Sequence, residues 1–121
     1  MPKGRRILIA EDDPDVLLVL TDRLESFGYE VTPVTNGREA VEEVRRTAYT
    51  IVLLDIMMAE MDGIEALSRI RGTEPTLPVV MISANRERAV ASLAEGAQAY
   101  LLKPVDPGHL KATVERWRQR L

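Results

Sequence analysis

Glu11 and Asp12, Asp55, Ser83 and Lys103 each stand directly after a short apolar run, and together they offer three carboxylates, a hydroxyl and an ammonium group. Taken singly, each has an ordinary reading, because acids, serines and lysines at strand ends commonly cap a helix or face water. As a set their roles are complementary. Two unit charges about 5 Å apart repel by roughly 3 kcal/mol at an effective dielectric of about 20, so three clustered carboxylates without a cation would be strained or partly protonated. A hard cation relieves that strain. Oxygen ligands without His or Cys favour Mg²⁺, which keeps several waters and takes one or two carboxylates together with phosphate oxygens.

For these residues to meet, the runs that carry them must lie side by side. The runs are Ile7 to Ala10, Tyr29 to Val34, Ile51 to Leu54, Val79 to Ile82 and Ala99 to Leu102, and they read as five strands. Between and after them come stretches with helical periodicity: Val16, Leu20, Leu24 and Phe27; Ala40, Val41 and Val44; Ile64, Leu67 and Ile70; Val90, Leu93 and Ala94; Leu110, Val114, Trp117 and Leu121. Strands joined by helical crossovers run parallel, and right-handed crossovers cover both faces of an open sheet. All the strand ends then share one edge, where ligands bind in open α/β sheets.

Boundary chemistry agrees with this α/β reading. Asp13-Pro14 and Asp106-Pro107 place a capping oxygen before a proline at the first helical position. Asn36 with Glu39, and Asp62 with Glu65, have the spacing of a capping box. Gly28, Gly72 and Gly96 follow the first, third and fourth helices, where a left-handed residue is expected. The continuously apolar runs from Ile7, Ile51 and Val79 belong at the sheet centre, whereas the second strand alternates and contains Pro33, which marks an edge.

The 121 residues, 45% hydrophobic and 29% charged, suit one globular domain with its own core. Cysteine is absent, which excludes disulfides, thiolate metal sites and thiol nucleophiles and suits a reducing cytoplasm. The first apolar run is too short for a signal-peptide core or a membrane span, so no membrane association is expected. A net charge of −3 offers nucleic acid no general attraction, and the basic run Lys111, Arg116, Arg118 and Arg120 reads as a solvated helix face. The absence of G-x-x-x-x-G-K-[ST] and G-x-G-x-x-G disfavours nucleotide hydrolysis.

In order and in register, ILIAEDDP from Ile7, IVLLDIMMAEMDG from Ile51, VVMISA from Val79 and AYLLKP from Ala99 resemble the receiver domains of two-component response regulators, over essentially the whole chain. The resemblance implies a doubly wound five-stranded parallel sheet in the order 2-1-3-4-5 with five helices. It implies that residues 1–121 form a single receiver domain with no effector domain in this chain. Asp55 becomes the phosphoacceptor, Asp12 a direct Mg²⁺ ligand, Glu11 a ligand through water, and Met57 a ligand through its backbone carbonyl, with Asp13 mainly a helix cap. Ser83 and Lys103 would contact phosphoryl oxygens, and the Lys103-Pro104 peptide is expected to be cis. Tyr100, on the exposed side of the last strand, matches the switch aromatic. Met57 and Asn85 match positions that influence how long the phosphate lasts.

The implied partners are a sensor histidine kinase or a histidine phosphotransfer protein as donor. The output is a downstream effector or a second copy, met through the surface of the fourth helix, fifth strand and fifth helix. Direct nucleic-acid binding is not expected. The domain would be a signalling switch rather than an enzyme, assisting only its own phosphorylation and dephosphorylation. His109, the single histidine, reads as a surface residue near the start of the last helix. Two departures from the family pattern stand out: Ala59 where proline is usual, which suggests a less constrained loop, and Ser83 where threonine is commoner. An end at Leu121 fits a free-standing protein or part of a longer one.

Two rivals share parts of this pattern. A flavodoxin-like FMN-binding electron carrier has the same fold, but here the first strand leads into an acidic turn, and one Phe, one Trp and three Tyr give little to stack on a flavin. A Mg²⁺-dependent phosphatase with an Asp nucleophile also needs Asp, Ser and Lys, but its nucleophile is expected on the first strand, beneath a cap domain.

Overall fold

Strand and helix alternate five times in the computed structural model, which describes residues 5–119: β1 (Arg6–Ala10), α1 (Pro14–Ser26), β2 (Glu30–Val34), α2 (Gly37–Arg46), β3 (Ile51–Asp55), α3 (Gly63–Thr73), β4 (Val79–Ser83), α4 (Arg86–Ala94), β5 (Ala99–Leu102) and α5 (Pro107–Trp117). All strands pair in parallel in the order β2-β1-β3-β4-β5. The strands built on the continuously apolar runs from Ile7, Ile51 and Val79 are central, as expected, and Pro33 lies on edge strand β2 opposite Ile9.

Because side chains alternate across a strand, the sheet divides the core in two. Ile7, Ile9, Ile51, Leu53, Val80, Ile82 and Leu101 face Leu20 and Leu24 of α1 and Leu110 and Val114 of α5. Leu8, Ala10, Val52, Leu54, Val79 and Met81 face α2, α3 and α4 through residues such as Val41, Leu67 and Ala89. Among the described residues, no helix is long and apolar enough to cross a membrane.

The caps form as the sequence implies: Asp13, Asn36, Asp62 and Asp106 each accept a backbone N–H from the first turn of the next helix. The reciprocal half of each capping box does not form. Glu39 accepts from the N–H and hydroxyl of Thr35, and Glu65 pairs with Arg69 one turn on. Gly28 and Gly96 take positive φ, at 97° and 112°, but Gly72 is a residue of α3 itself, which runs on to Thr73.

Two other expectations need correction. The buried face of α4 is Ala89 and Ser92, while Val90 and Leu93 are 45% and 41% exposed. Small residues let α4 approach the sheet closely, and its larger apolar residues turn outward. Tyr100 is half-buried and packs against the cluster containing Met81 and Ala89, so it is not on an open face. Leu121 and Arg120 lie outside the described residues.

Candidate functional site

The C-terminal ends of β1, β3, β4 and β5 meet at one edge of the sheet. The β1 ladder continues one residue past the strand, since Glu11 N–H donates to Val34 O at 3.1 Å, and this holds Glu11 inside the fold with 0% exposure. Its Oε2 accepts the N–H of Asp13, whose own carboxylate caps α1. Asp12, between them, turns outward to solvent and reaches the β3–α3 loop, accepting Ala59 N–H at 3.3 Å. Proline has no N–H, so alanine at 59 supplies a bond between loop and site that the usual residue could not make.

Asp55 ends β3 in register with Ile82 of β4 and is 2% exposed. Oxygens of Glu11, Asp12 and Asp55 all lie within 4.8 Å of one another, an all-oxygen cluster suited to a hard divalent cation. Lys103, one residue beyond β5, places Nζ 2.7 Å from Glu11 Oε1 and 3.3 Å from Asp55 Oδ2. Burial, reinforced by the Glu11 carboxylate, pushes the Asp55 carboxyl up to about 7 despite the lysine beside it. Burial also opposes the charge on Lys103, but its two carboxylate partners outweigh that and raise it above the ordinary lysine value.

Ser83 closes β4, is buried, and accepts the N–H of Asn85 on Oγ at 2.9 Å; its carbonyl accepts Lys103 N–H. The Lys103-Pro104 peptide is cis. Glycine is required at the other side of the pocket. The β3–α3 loop closes through Gly63 N–H to Ile56 O at 2.8 Å, and a Cβ at Gly63 would stand 2.3 Å from Asp55 O.

Of the residues singled out in the sequence, Glu11, Asp12 and Asp55 bring oxygens within 4.8 Å of one another and Lys103 pairs with Glu11 and Asp55, with Ser83 at the end of the adjoining strand. Met57 is in the loop two residues past Asp55 and is 62% exposed. Tyr100 lies on β5 opposite Met81, away from the acidic cluster. His109 is exposed in the first turn of α5. Sequence reasoning missed Arg88, which reaches from α4 to Met57 and Asp62. It also missed Asn85 as the cap of α4, although an Asn between a strand and a helix is a usable signal.

The family model for the response regulator receiver domain matches residues 7–115, the span that contains every one of these groups. The chain belongs to that family. It is 41% identical over 112 residues to the transcriptional regulatory protein ZraR of Escherichia coli, covering 91% of this chain and 25% of ZraR. It is 36% identical to the chemotaxis protein CheY of Thermotoga maritima, covering 88% and 92%. This receiver therefore spans about a quarter of the ZraR relatives and nearly all of CheY. The receiver domain of sensor histidine kinase PA1611 from Pseudomonas aeruginosa superimposes with a TM-score of 0.88 at 33% identity, covering 94% of this chain and 97% of that one. That structure has a magnesium ion coordinated in its active site cleft. As a receiver the chain is a signalling domain of two-component systems, which displaces both the flavin-carrier and the phosphatase readings.

Proposed function

We propose that Asp55 is the phosphoacceptor of this single receiver domain and takes its phosphoryl group from a phosphohistidine on a sensor histidine kinase or histidine phosphotransfer protein. The observation that carries the reading is the meeting of Glu11, Asp12 and Asp55 oxygens within 4.8 Å, with the Lys103 ammonium 3.3 Å from Asp55. An Asp55 oxygen forms the new P–O bond as the donor's N–P bond breaks, and the imidazole nitrogen keeps the electron pair. Phosphoryl transfer depends mainly on in-line positioning and on neutralising the equatorial oxygens. Lys103 answers one oxygen and the Ser83 hydroxyl another. Glu11, Asp12, Asp55 and the Met57 carbonyl would hold Mg²⁺, which when bound offsets the carboxylate repulsion and the negative charge of the phosphoryl group. The domain assists its own phosphorylation and dephosphorylation and transforms no other substrate. A cytoplasmic setting suits a chain without cysteine.

The output is a change in the surface of α4, β5 and α5. When Ser83 moves toward the phosphoryl group it alters the packing under α4, where Tyr100 packs against the core cluster that includes Met81 and Ala89. The exposed Val90 and Leu93 of α4 give that surface apolar area for an effector or a second copy of the chain. Amide NMR with beryllofluoride and Mg²⁺ tests both parts. Shifts are expected around Asp55, along Arg86 to Gly96 and at Tyr100. Asp12→Asn should weaken Mg²⁺ binding by about tenfold or more, and Tyr100→Ala should shrink the remote shifts while leaving those beside Asp55. Shifts confined to the pocket in the unaltered protein contradict the switch, and no Mg²⁺-dependent shift at all contradicts the site.

A further inference from the structure

Among the described residues, Glu60 in the β3–α3 loop is the one non-glycine residue with positive φ, at 65°. Around it Met61 N–H donates to Ala59 O at 2.8 Å and closes a three-residue turn. A left-handed residue that bears a Cβ is costly, and it persists where its surroundings determine it. One side of this turn is fixed by α2. Gly37 N–H donates to Met61 O at 3.1 Å, in an approach so close that a Cβ at Gly37 would stand 2.3 Å from that oxygen, and Arg38 pairs with Glu60 at 3.3 Å. On the other side Ala59 N–H donates to Asp12 Oδ2 at 3.3 Å. The turn therefore links the start of α2 to the acidic cluster.

Asp12 is the exposed member of that cluster, with oxygens of Glu11 and Asp55 within 4.8 Å. Lys103 pairs with those two carboxylates, which leaves Asp12 to the loop. Repulsion from two neighbouring carboxylates favours rotation of an exposed aspartate toward water, and a donor anchored in the loop opposes it. The N–H takes one of about four acceptor sites on the carboxylate and leaves the others for a cation. Hydrogen bonds of this kind orient metal ligands and support affinity. Because the donor is a main-chain group, the residue at 59 acts through the presence of its N–H, which alanine and serine have and proline lacks.

We propose that Ala59 is a positioning residue whose N–H holds Asp12 in the cluster, so that the β3–α3 turn raises the site's affinity for a divalent cation. The coupling is reciprocal: a bound cation tightens the turn by the same linkage. The proposal rests on Glu11, Asp12 and Asp55 being the cation's ligands. Its test is a Mg²⁺ titration followed by the amide resonances beside Asp55. Ala59→Pro should weaken binding by about three- to tenfold, at or below the lower end of the range for such supporting bonds because this one is long. Ala59→Ser, which keeps the N–H, should stay within about twofold of the unaltered protein. Solvent-exchange NMR on the unaltered protein reads the same bond without relying on the proline variant. Metal-free, Ala59 N–H should exchange at least about threefold more slowly than in Asp12→Ala, and saturating Mg²⁺ should slow it further. Equal affinity in Ala59→Pro, equal weakening in Ala59→Ser, or an exchange rate at Ala59 that neither Asp12→Ala nor Mg²⁺ changes overturns the proposal. An unaltered protein whose resonances beside Asp55 do not respond to Mg²⁺, while Ala59 N–H still exchanges slowly, overturns the ligand assignment instead.

Discussion

The Asp55 carboxyl is almost sealed from water and faces Glu11, so its charged form is costly in the folded protein without a cation. Its value rises from the ordinary carboxylate range to about 7, so between those limits the native state holds a proton that the unfolded chain has released. By linkage, stability must then fall as pH rises through that window, by at most about 1.4 kcal/mol per pH unit. Thermal midpoints in EDTA between about pH 5 and pH 7 should decline more steeply for the unaltered protein than for Asp55→Asn, which carries no titrating group there. Parallel curves would contradict the strain. The sequence supplied these residues because each ends an apolar run. It did not show that Lys103 lies closer to Glu11 than to Asp55, since that depends on the path of the chain beyond β5.

At the scale of elements, helix starts were legible because a capping side chain acts on its own first turn, and Asp13, Asn36, Asp62 and Asp106 all do so. Partners of longer side chains were not. Glu39 turned to Thr35 and Glu65 to Arg69, choices set by neighbours that the spacing rule ignores. The face of α4 was misjudged because periodicity weighs large apolar residues, whereas Ala89 and Ser92 make the contact with the sheet. The glycines of α3 separate the two reasons for a glycine. Gly63→Ala would push a Cβ to 2.3 Å from the Asp55 carbonyl and should cost about 1–3 kcal/mol. Gly72→Ala meets nothing within 4 Å and should stabilise the helix by about 0.5–1 kcal/mol. Urea denaturation of both variants measures the difference; equal effects would show that the close approach at Gly63 is relaxed elsewhere.

Across the whole molecule, two facts visible in the chain made the parallel sheet and the edge place of β2 legible: five apolar runs separated by helical stretches, and an alternating second run with a proline. The full order β2-β1-β3-β4-β5 was implied only by the resemblance to receiver domains. Parallel strands then carried residues as far apart as Glu11 and Lys103 to the same edge. Contacts between separate elements were beyond reach. The bridge from Arg88 to Met57 joins α4 to the loop after β3, and the bond from Ala59 to Asp12 joins that loop to the end of β1, with no spacing rule to announce either. The central claim, that this edge accepts a phosphoryl group on Asp55, is tested most directly by intact mass and peptide mapping after incubation with acetyl phosphate and Mg²⁺. One phosphoryl group should appear, on the peptide containing Asp55, and Asp55→Asn should show none. Equal phosphorylation of Asp55→Asn, or a label mapped to another residue, would contradict the assignment.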